Sequence, residues 1–330
     1  MPETLYADMR NNDEPIAMPA FEIGLILDGM LNDLGVERVA LAIFDEFINH
    51  FQDQLVFKMR ESWTSKSAKL TAFKPKDILP LRQILAGGAP KTRCIRLYGT
   101  DENELNLPFT PFFSIDHDAY PMTRIVILLP PSAKDLRAFS DRIDQLARES
   151  PLRFGVQGFA FMRSPLSGFQ DLDLPPAYNR YRAALMGNWF EALPSLFHSE
   201  ALVEMQRLEQ TRRKDAGKPW DYHPGIVDIG WRTYIGKRFA DRLQHSKPPA
   251  DTAVKLEAND HMNIVTIGDE PIWGDINGPE DISAWRAAHD YLRPAFASRE
   301  VLKLHTWDMQ PSSPKSIEKT EGYLNRLARR

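Results

Sequence analysis

One stretch constrains this chain more than any other. From Met262 to Pro294 an apolar strand, a long acidic loop and an amphipathic helix follow one another directly. Met262–Ile267 (MNIVTI) has the length and β-branched content of a buried strand. Downstream, Ile282, Trp285, His289 and Leu292 recur at steps of three, four and three, which places them on one helix face. The segment between, Gly268 to Gly278, is too long for a tight turn and too apolar in its middle for a solvated linker. Any fold must therefore bury a strand and a helix face and still find a place for this loop.

A related order of elements occurs earlier. Leu107–Asp116 and Arg124–Leu129 read as two strands of a hairpin whose connector, Asp116 to Pro121, carries turn-forming Asp and Pro. Ser132 with Asp135 resembles a capping box, and Leu136, Phe139, Ile143 and Leu146 form the stripe of a following helix. Phe154–Phe161 then reads as the returning strand. In the C-terminal part the same order runs through Val254–Glu257, Met262–Ile267, Glu280–Leu292 and Glu300–Thr306. The expected fold is α+β, with two related halves, each a small, mostly antiparallel sheet with helices packed on one face. Residues 1–20 read as a mobile leader, 21–163 as the first half, 164–176 as a Ser/Gly/Pro-rich linker, 177–307 as the second half and 308–330 as a tail with a possible terminal helix.

Within those bounds Phe21–Leu27 is the first strand, closed by Asp28-Gly29, and Val39, Ile43, Phe44, Phe47 and Phe51 mark an amphipathic helix. Lys76–Leu85 reads as a helix stopped by Gly87-Gly88. Tyr178–Met186, Trp189–Phe197 and Ser199–Arg213 read as helices, Ile226–Trp231 as a short strand and Lys237–Leu243 as a helical turn or two.

Composition removes several function classes. At 330 residues with 43% hydrophobic and 10% aromatic residues the chain can build a real core, so wholesale disorder is excluded. A formal charge of −4 denies it a basic nucleic-acid footprint, and direct nucleic-acid binding is not expected. The apolar runs are too short to span a bilayer, which takes about 20 residues, and the N-terminus lacks a signal-peptide pattern; the expected location is cytoplasmic, away from membranes. A single cysteine, Cys94, forbids an internal disulfide and reads as a packed strand residue.

The search for chemistry returns no strong motif. There is no phosphate-cradling glycine loop, no zincin histidine pair and no nucleophile elbow. Asp116-His117-Asp118 could offer two carboxylates to a divalent metal, but its residue types also make a turn. His289 lies on the helix stripe, where a hydrogen-bonded core role outweighs a general base. Ser312 and Lys315 match a catalytic spacing only by accident in a proline-flanked tail, and Arg207, Arg212, Arg213 and Lys214 suit a helix C-terminus. No catalytic residue, metal ligand or cofactor is expected.

One charge pattern stands apart. From Leu256 to Trp285 there are seven acids (Glu257, Asp260, Asp269, Glu270, Asp275, Glu280 and Asp281) and no lysine or arginine. Such a patch steers a cationic partner, and Trp273 would supply an aromatic anchor. The competing reading turns Trp273 inward and uses the acids as helix caps. The contact reading takes Asp269, Glu270, Trp273, Asp275, Glu280 and Asp281 as the partner-binding set.

The blocks Gly230-Trp231-Arg232-Thr233-Tyr234-Ile235-Gly236, Trp273-Gly274-Asp275-Ile276-Asn277 and Tyr291-Leu292-Arg293-Pro294 resemble the signature blocks of a bacterial family of type VI secretion immunity proteins, of the TsiV/TsiT kind. That resemblance implies a non-enzymatic binding protein, monomer or homodimer. It implies neutralisation of a cognate effector toxin, a cytoplasmic nuclease, by stoichiometric occlusion or by blocking toxin self-association. The rival readings are a metal-dependent hydrolase using Asp116 and Asp118, and an adaptor within a secretion cluster.

Overall fold

The computed structural model describes residues 10–11, 14–15, 17–62, 69–88, 92–100, 109–117, 122–163, 177, 179–185, 225–297 and 322–328. The strands are β1 (Arg10–Asn11), β2 (Glu14–Pro15), β3 (Ala17–Asp28), β4 (Phe57–Ser62), β5 (Lys69–Ala72), β6 (Thr92–Tyr98), β7 (Phe112–His117), β8 (Met122–Leu129), β9 (Leu152–Arg163), β10 (Arg232–Gly236), β11 (Val254–Ala258) and β12 (Met262–Ile267). The α-helices are α1 (Leu34–Phe51), α2 (Ile78–Gln83), α3 (Leu136–Arg148), α4 (Lys237–Ala240) and α5 (Ser283–Leu292). The class is α+β, as the patterning implies.

The expected division into two small sheets is corrected. Ten strands form one antiparallel sheet in the order β11-β12-β10-β9-β3-β8-β7-β6-β4-β5. The physical reason is the join between β9 and β10, where Arg232 to Ile235 pair with Gln157 to Phe154 and leave neither group of strands an open edge at that point. The linker at 164–176 lies outside the described residues, as does the expected strand at Glu300–Thr306. β3 begins at Ala17, inside the segment expected as a leader, because Ala17 and Ala20 are buried against the far end of β9.

Register fixes which side chains share a face. Phe113, Ile127, Ile23 and Gln157 lie opposite one another across β7, β8, β3 and β9, so all four point to the same side. On that side Phe113 meets Phe44 and Phe47 of α1, with ring centroids 5.8 and 5.1 Å apart, and Gln157 hydrogen-bonds Ser140 of α3. Both helices therefore cover one face of the sheet. The α1 stripe is Val36, Val39, Ile43, Phe44, Phe47 and Phe51, all buried. In α5, Ile282 just ahead of the helix, Trp285 and Leu292 are buried and His289 is half-buried. Burial, followed by the nearby Arg326 charge, pulls the His289 imidazole below its ordinary pKa, which keeps it neutral beside the Phe296 ring.

Several local expectations are revised. The α3 helix is entered through Asp135 in a left-handed conformation (φ 64°) with no side-chain cap, instead of through a Ser132 capping box. The expected strand at Ile226–Trp231 is displaced to β10, and only Ile226 forms a bridge, to Phe296. A Cβ on Gly230 would stand 2.4 Å from the Gln157 carbonyl, so the chain passes too close to β9 there for a ladder. Tyr178–Met186 does not continue as a helix, because Tyr181 and Leu185 bridge to Asp275 and Ala160. The expected helices at 189–197 and 199–213 lie outside the described residues. Cys94 is buried in β6, and β4 and β5 are strands that the patterning did not mark.

Candidate partner-binding site

The acidic loop between β12 and α5 is tied down along its length. Gly274 has φ 67°, and a Cβ there would lie 2.6 Å from the Ala183 amide nitrogen, so the close approach of two backbones requires glycine. Around it Arg182 and Ala183 donate their N–H groups to the Gly274 and Trp273 carbonyls, each at 3.1 Å, and Ile276 donates to the Arg180 carbonyl at 3.0 Å. The loop thus forms a short ladder with residues 180–183.

Trp273 is the clearest correction among the site residues. It is only 7% exposed and stacks face to face on Phe159, centroids 4.6 Å apart and planes 5° apart, with Phe161 and Tyr181 alongside. Phe159 shares the face of Gln157 on β9, so burial of a large apolar ring there outweighs its display to solvent. Trp273 holds the loop and presents no aromatic anchor. The exposed apolar residue of the loop is Ile276, at 49%, followed by exposed Asn277, Gly278 and Pro279.

The acids divide into neutralised and open groups. Asp275 takes a two-pronged bond from the Arg180 guanidinium, both contacts at 3.1 Å, and also accepts the Asn277 N–H. Burial raises its pKa, but the Arg180 and Asn277 hydrogen bonds and the Arg180 charge outweigh that and hold the carboxyl below its usual range. Asp269 pairs with Lys255 at 2.7 Å, and Glu270 pairs with Arg137 at 3.2 Å. Glu257 pairs with Arg148. Glu280 accepts the Asp275 N–H at 2.8 Å. Asp281 accepts both the N–H and the hydroxyl of Ser283, the first residue of α5, and those bonds lower its pKa. Four of the seven acids thus face cations that lie elsewhere in the chain or at the edge of the stretch.

Beneath the loop lies a charged cluster that sequence reasoning missed. Arg137, near the start of α3, donates to the Asp269 carbonyl, to Glu270 and to Asp141, and its guanidinium sits 4.7 Å from the Trp231 ring centroid. Arg232 also lies over Trp231, at 4.3 Å, and donates to Asp141. Burial raises the Asp141 pKa, yet the hydrogen bonds from Arg232 and Arg137 prevail and lower it. Trp231 and Arg232 stand side by side in one of the blocks named above, a visible hint of cation–π packing. Nothing in the local sequence marks Arg137 or Arg180.

The rest of the support comes from the tail. Arg326 is buried, pairs with Asp228 at 2.6 Å and donates to the Arg182 carbonyl at 3.1 Å, while Tyr323 bonds the same Asp228. Residues 322–324 are helical, within the tail expected to end in a helix. Arg326 thereby reaches the segment that the loop pairs with.

Elsewhere the alternative chemistry finds little footing. Asp116 is bound across the hairpin by Arg124 at 2.6 and 3.1 Å, so that carboxylate already has a cation. Asp118 lies outside the described residues, as do Arg207, Arg212, Arg213, Lys214, Ser312 and Lys315. Among the described residues no group of three His, Cys, Asp or Glu side chains converges on a common point, and no helix is long and apolar enough to cross a membrane. Among the described residues, the arrangement around the loop is a braced surface held by backbone pairing, aromatic stacking and guanidinium–carboxylate bonds.

No family model matches the chain, and no curated protein matches it by sequence. Among solved structures it is similar to one described as "Pseudomonas aeruginosa T6SS protein PA0821", with a TM-score of 0.68 and 14% identity over 96% of this chain and 86% of that one. At that identity the likeness is one of fold.

Proposed function

We propose that this chain is a type VI secretion immunity protein that binds a cognate antibacterial effector and holds it inert by stoichiometric occlusion. The observation that carries the reading is the shared fold over 96% of the chain with a protein described as belonging to the type VI secretion system. The sequence blocks around Trp231, Trp273 and Tyr291 point the same way. The braced loop supports it physically, since a contact surface held in one conformation loses little ordering entropy when a partner docks.

The docking face is the outer side of the loop. Ile276 supplies apolar area at its apex, and Asp269, Glu270, Glu280 and Asp281 flank it with carboxylates. Asp275 and Trp273 act from below by holding the backbone. A nuclease toxin, which must present cations to a phosphate backbone, is the class of effector that such a rim would attract, and the encounter takes place in the cytoplasm. Because few escaping toxin molecules are tolerable, the affinity should be nanomolar or tighter, about −12 kcal/mol or beyond.

Co-expression with the toxin gene of the same cluster should rescue growth and yield a co-purifying complex. Reversing Asp269 and Glu270 to lysine together should weaken that complex at least about tenfold, chiefly through the association rate. Ile276→Asp should weaken it through the dissociation rate. Absence of a complex at micromolar concentrations would end the proposal. A complex insensitive to both sets of substitutions would move the contact to another face.

A further inference from the structure

Among the described residues β11 closes one end of the ten-stranded sheet and pairs on one side, with β12. The hydrogen bonds at its two ends show which groups point outward. Ala253 accepts from Gly268 and Asn259 donates to Met262, so the odd-numbered residues 253 to 259 face β12. By the alternation of an antiparallel ladder, Leu256 and Ala258 turn both their N–H and C=O away from the sheet, and Val254 its C=O. No bulge interrupts the β11–β12 register, and the strand contains no proline. Residues 255 to 258 are all exposed, with Leu256 at 38%. Native edges are ordinarily blunted against pairing, and this one lacks the bulge and the proline that commonly do so.

The order of side chains along this edge selects the partner. We propose that β11 pairs antiparallel with β11 of a second copy of this chain, on a two-fold axis through Leu256. In that register Leu256 faces its own counterpart in a doubly hydrogen-bonded pair, and Val254 faces Ala258. Lys255 then stands opposite Glu257 of the other copy, twice, in the non-hydrogen-bonded positions where side chains approach most closely. Lys255 and Glu257 share a face with Thr266 and Ile264, and Leu256 lies on the other, so the two Lys–Glu pairs and the Leu–Leu contact occupy opposite sides of the joined sheet. A strand reading Lys-Leu-Glu is complementary to itself only when antiparallel and centred on the leucine. Within one copy Lys255 already pairs with Asp269 and Glu257 with Arg148, at 2.7 and 2.9 Å, and both contacts are exposed enough to be shared. The inference is independent of the immunity reading.

Five residues make a small interface, so association should be weak, with a dissociation constant on the order of 10 μM. Sedimentation velocity on the full chain should show its mass rising from 37.8 kDa toward twice that value across this range. Leu256→Pro should abolish the rise while leaving the thermal melt in place, because the lost N–H points outward and serves no bond among the described residues. Lys255→Glu should weaken association by at least about tenfold by setting like charges opposite one another twice. Adding Glu257→Lys to it should restore association to within about threefold of the wild type. A chain that stays monomeric at about ten times the expected constant overturns the proposal. So does a dimer that Leu256→Pro leaves intact, or a charge pair whose double exchange fails to restore pairing. If the chain is monomeric alone and Leu256→Pro instead blocks an effector, the edge serves a foreign strand and self-pairing is overturned.

Discussion

Two regions on the same face of the sheet are held together by opposite means. Beneath α1 the contacts are rings on rings: Phe47 meets Phe51 and Phe113, and Phe51 meets Phe139, with centroids between 5.1 and 5.4 Å apart. Beneath the acidic loop they are charges and rings, with Trp231 under Arg137 and Arg232 and with Asp141 joining the two guanidiniums. Dispersion and burial do not depend strongly on direction, so the first region fixes a position by filling space. Guanidinium–carboxylate bonds have a required geometry, so the second fixes an orientation. Under the proposed binding role, a loop that presents one surface to a partner gains more from the second kind of support.

The contrast yields predictions of graded size. Phe47→Ala, at a fully buried ring, should cost about 3–5 kcal/mol in chemical denaturation and leave the loop's contacts unchanged. Arg326→Met should cost about 3–5 kcal/mol as well, because it strands buried Asp228 without its cation. Here the regions diverge: adding Asp228→Asn should recover at least about 1 kcal/mol, whereas no second substitution opposite Phe47 would recover stability by removing atoms. If the double variant is no better than Arg326→Met, charge stranding is not what limits that region.

Gly274→Ala should cost about 1–3 kcal/mol through its left-handed backbone and the clash with Ala183, and it should also weaken partner binding. A Phe47 variant should leave binding intact at temperatures where it is folded. His289 tests the region from another side. Its folded pKa lies below the unfolded value of 6.5, so the unfolded chain takes up the proton first as pH falls. Stability should be full above about 6.5 and decline below it by at most about 1.4 kcal/mol per pH unit, and His289→Asn should remove that share of the slope. The smallest effect belongs to Glu270→Gln, an exposed pair worth under about 1 kcal/mol in a melt, though its loss should register in partner affinity.

Much of the first region could be read along the chain. The α1 stripe from Val39 to Phe51 declares itself by period, because a helix that buries one side must repeat its apolar residues at its own pitch, and Arg124–Leu129 declares itself as a short, nearly unbroken apolar run. The second region was legible only in part. Its acids were visible as a block, and Trp231 beside Arg232 was visible as a pair. The reach of Arg137 and Arg180 to the loop was not, since they lie 133 and 95 positions from the loop carboxylates they meet. The aromatic anchor failed for the same reason, as Phe159 and Phe161 were already recognisable as strand residues but not as the floor under Trp273.

By itself the sequence determined the α+β class, the α1 and α3 stripes, the strand–loop–helix unit from Met262 to Leu292 and the absence of a recognisable catalytic motif. Only the tertiary structure decided that ten strands share one sheet, that Trp273 lies inward while Ile276 faces out, and that the acidic stretch is half neutralised. The physical reason is range. Periodicity and turn chemistry act between residues a few positions apart, while strand order and the pairing of charges depend on segments that meet only once the chain has folded.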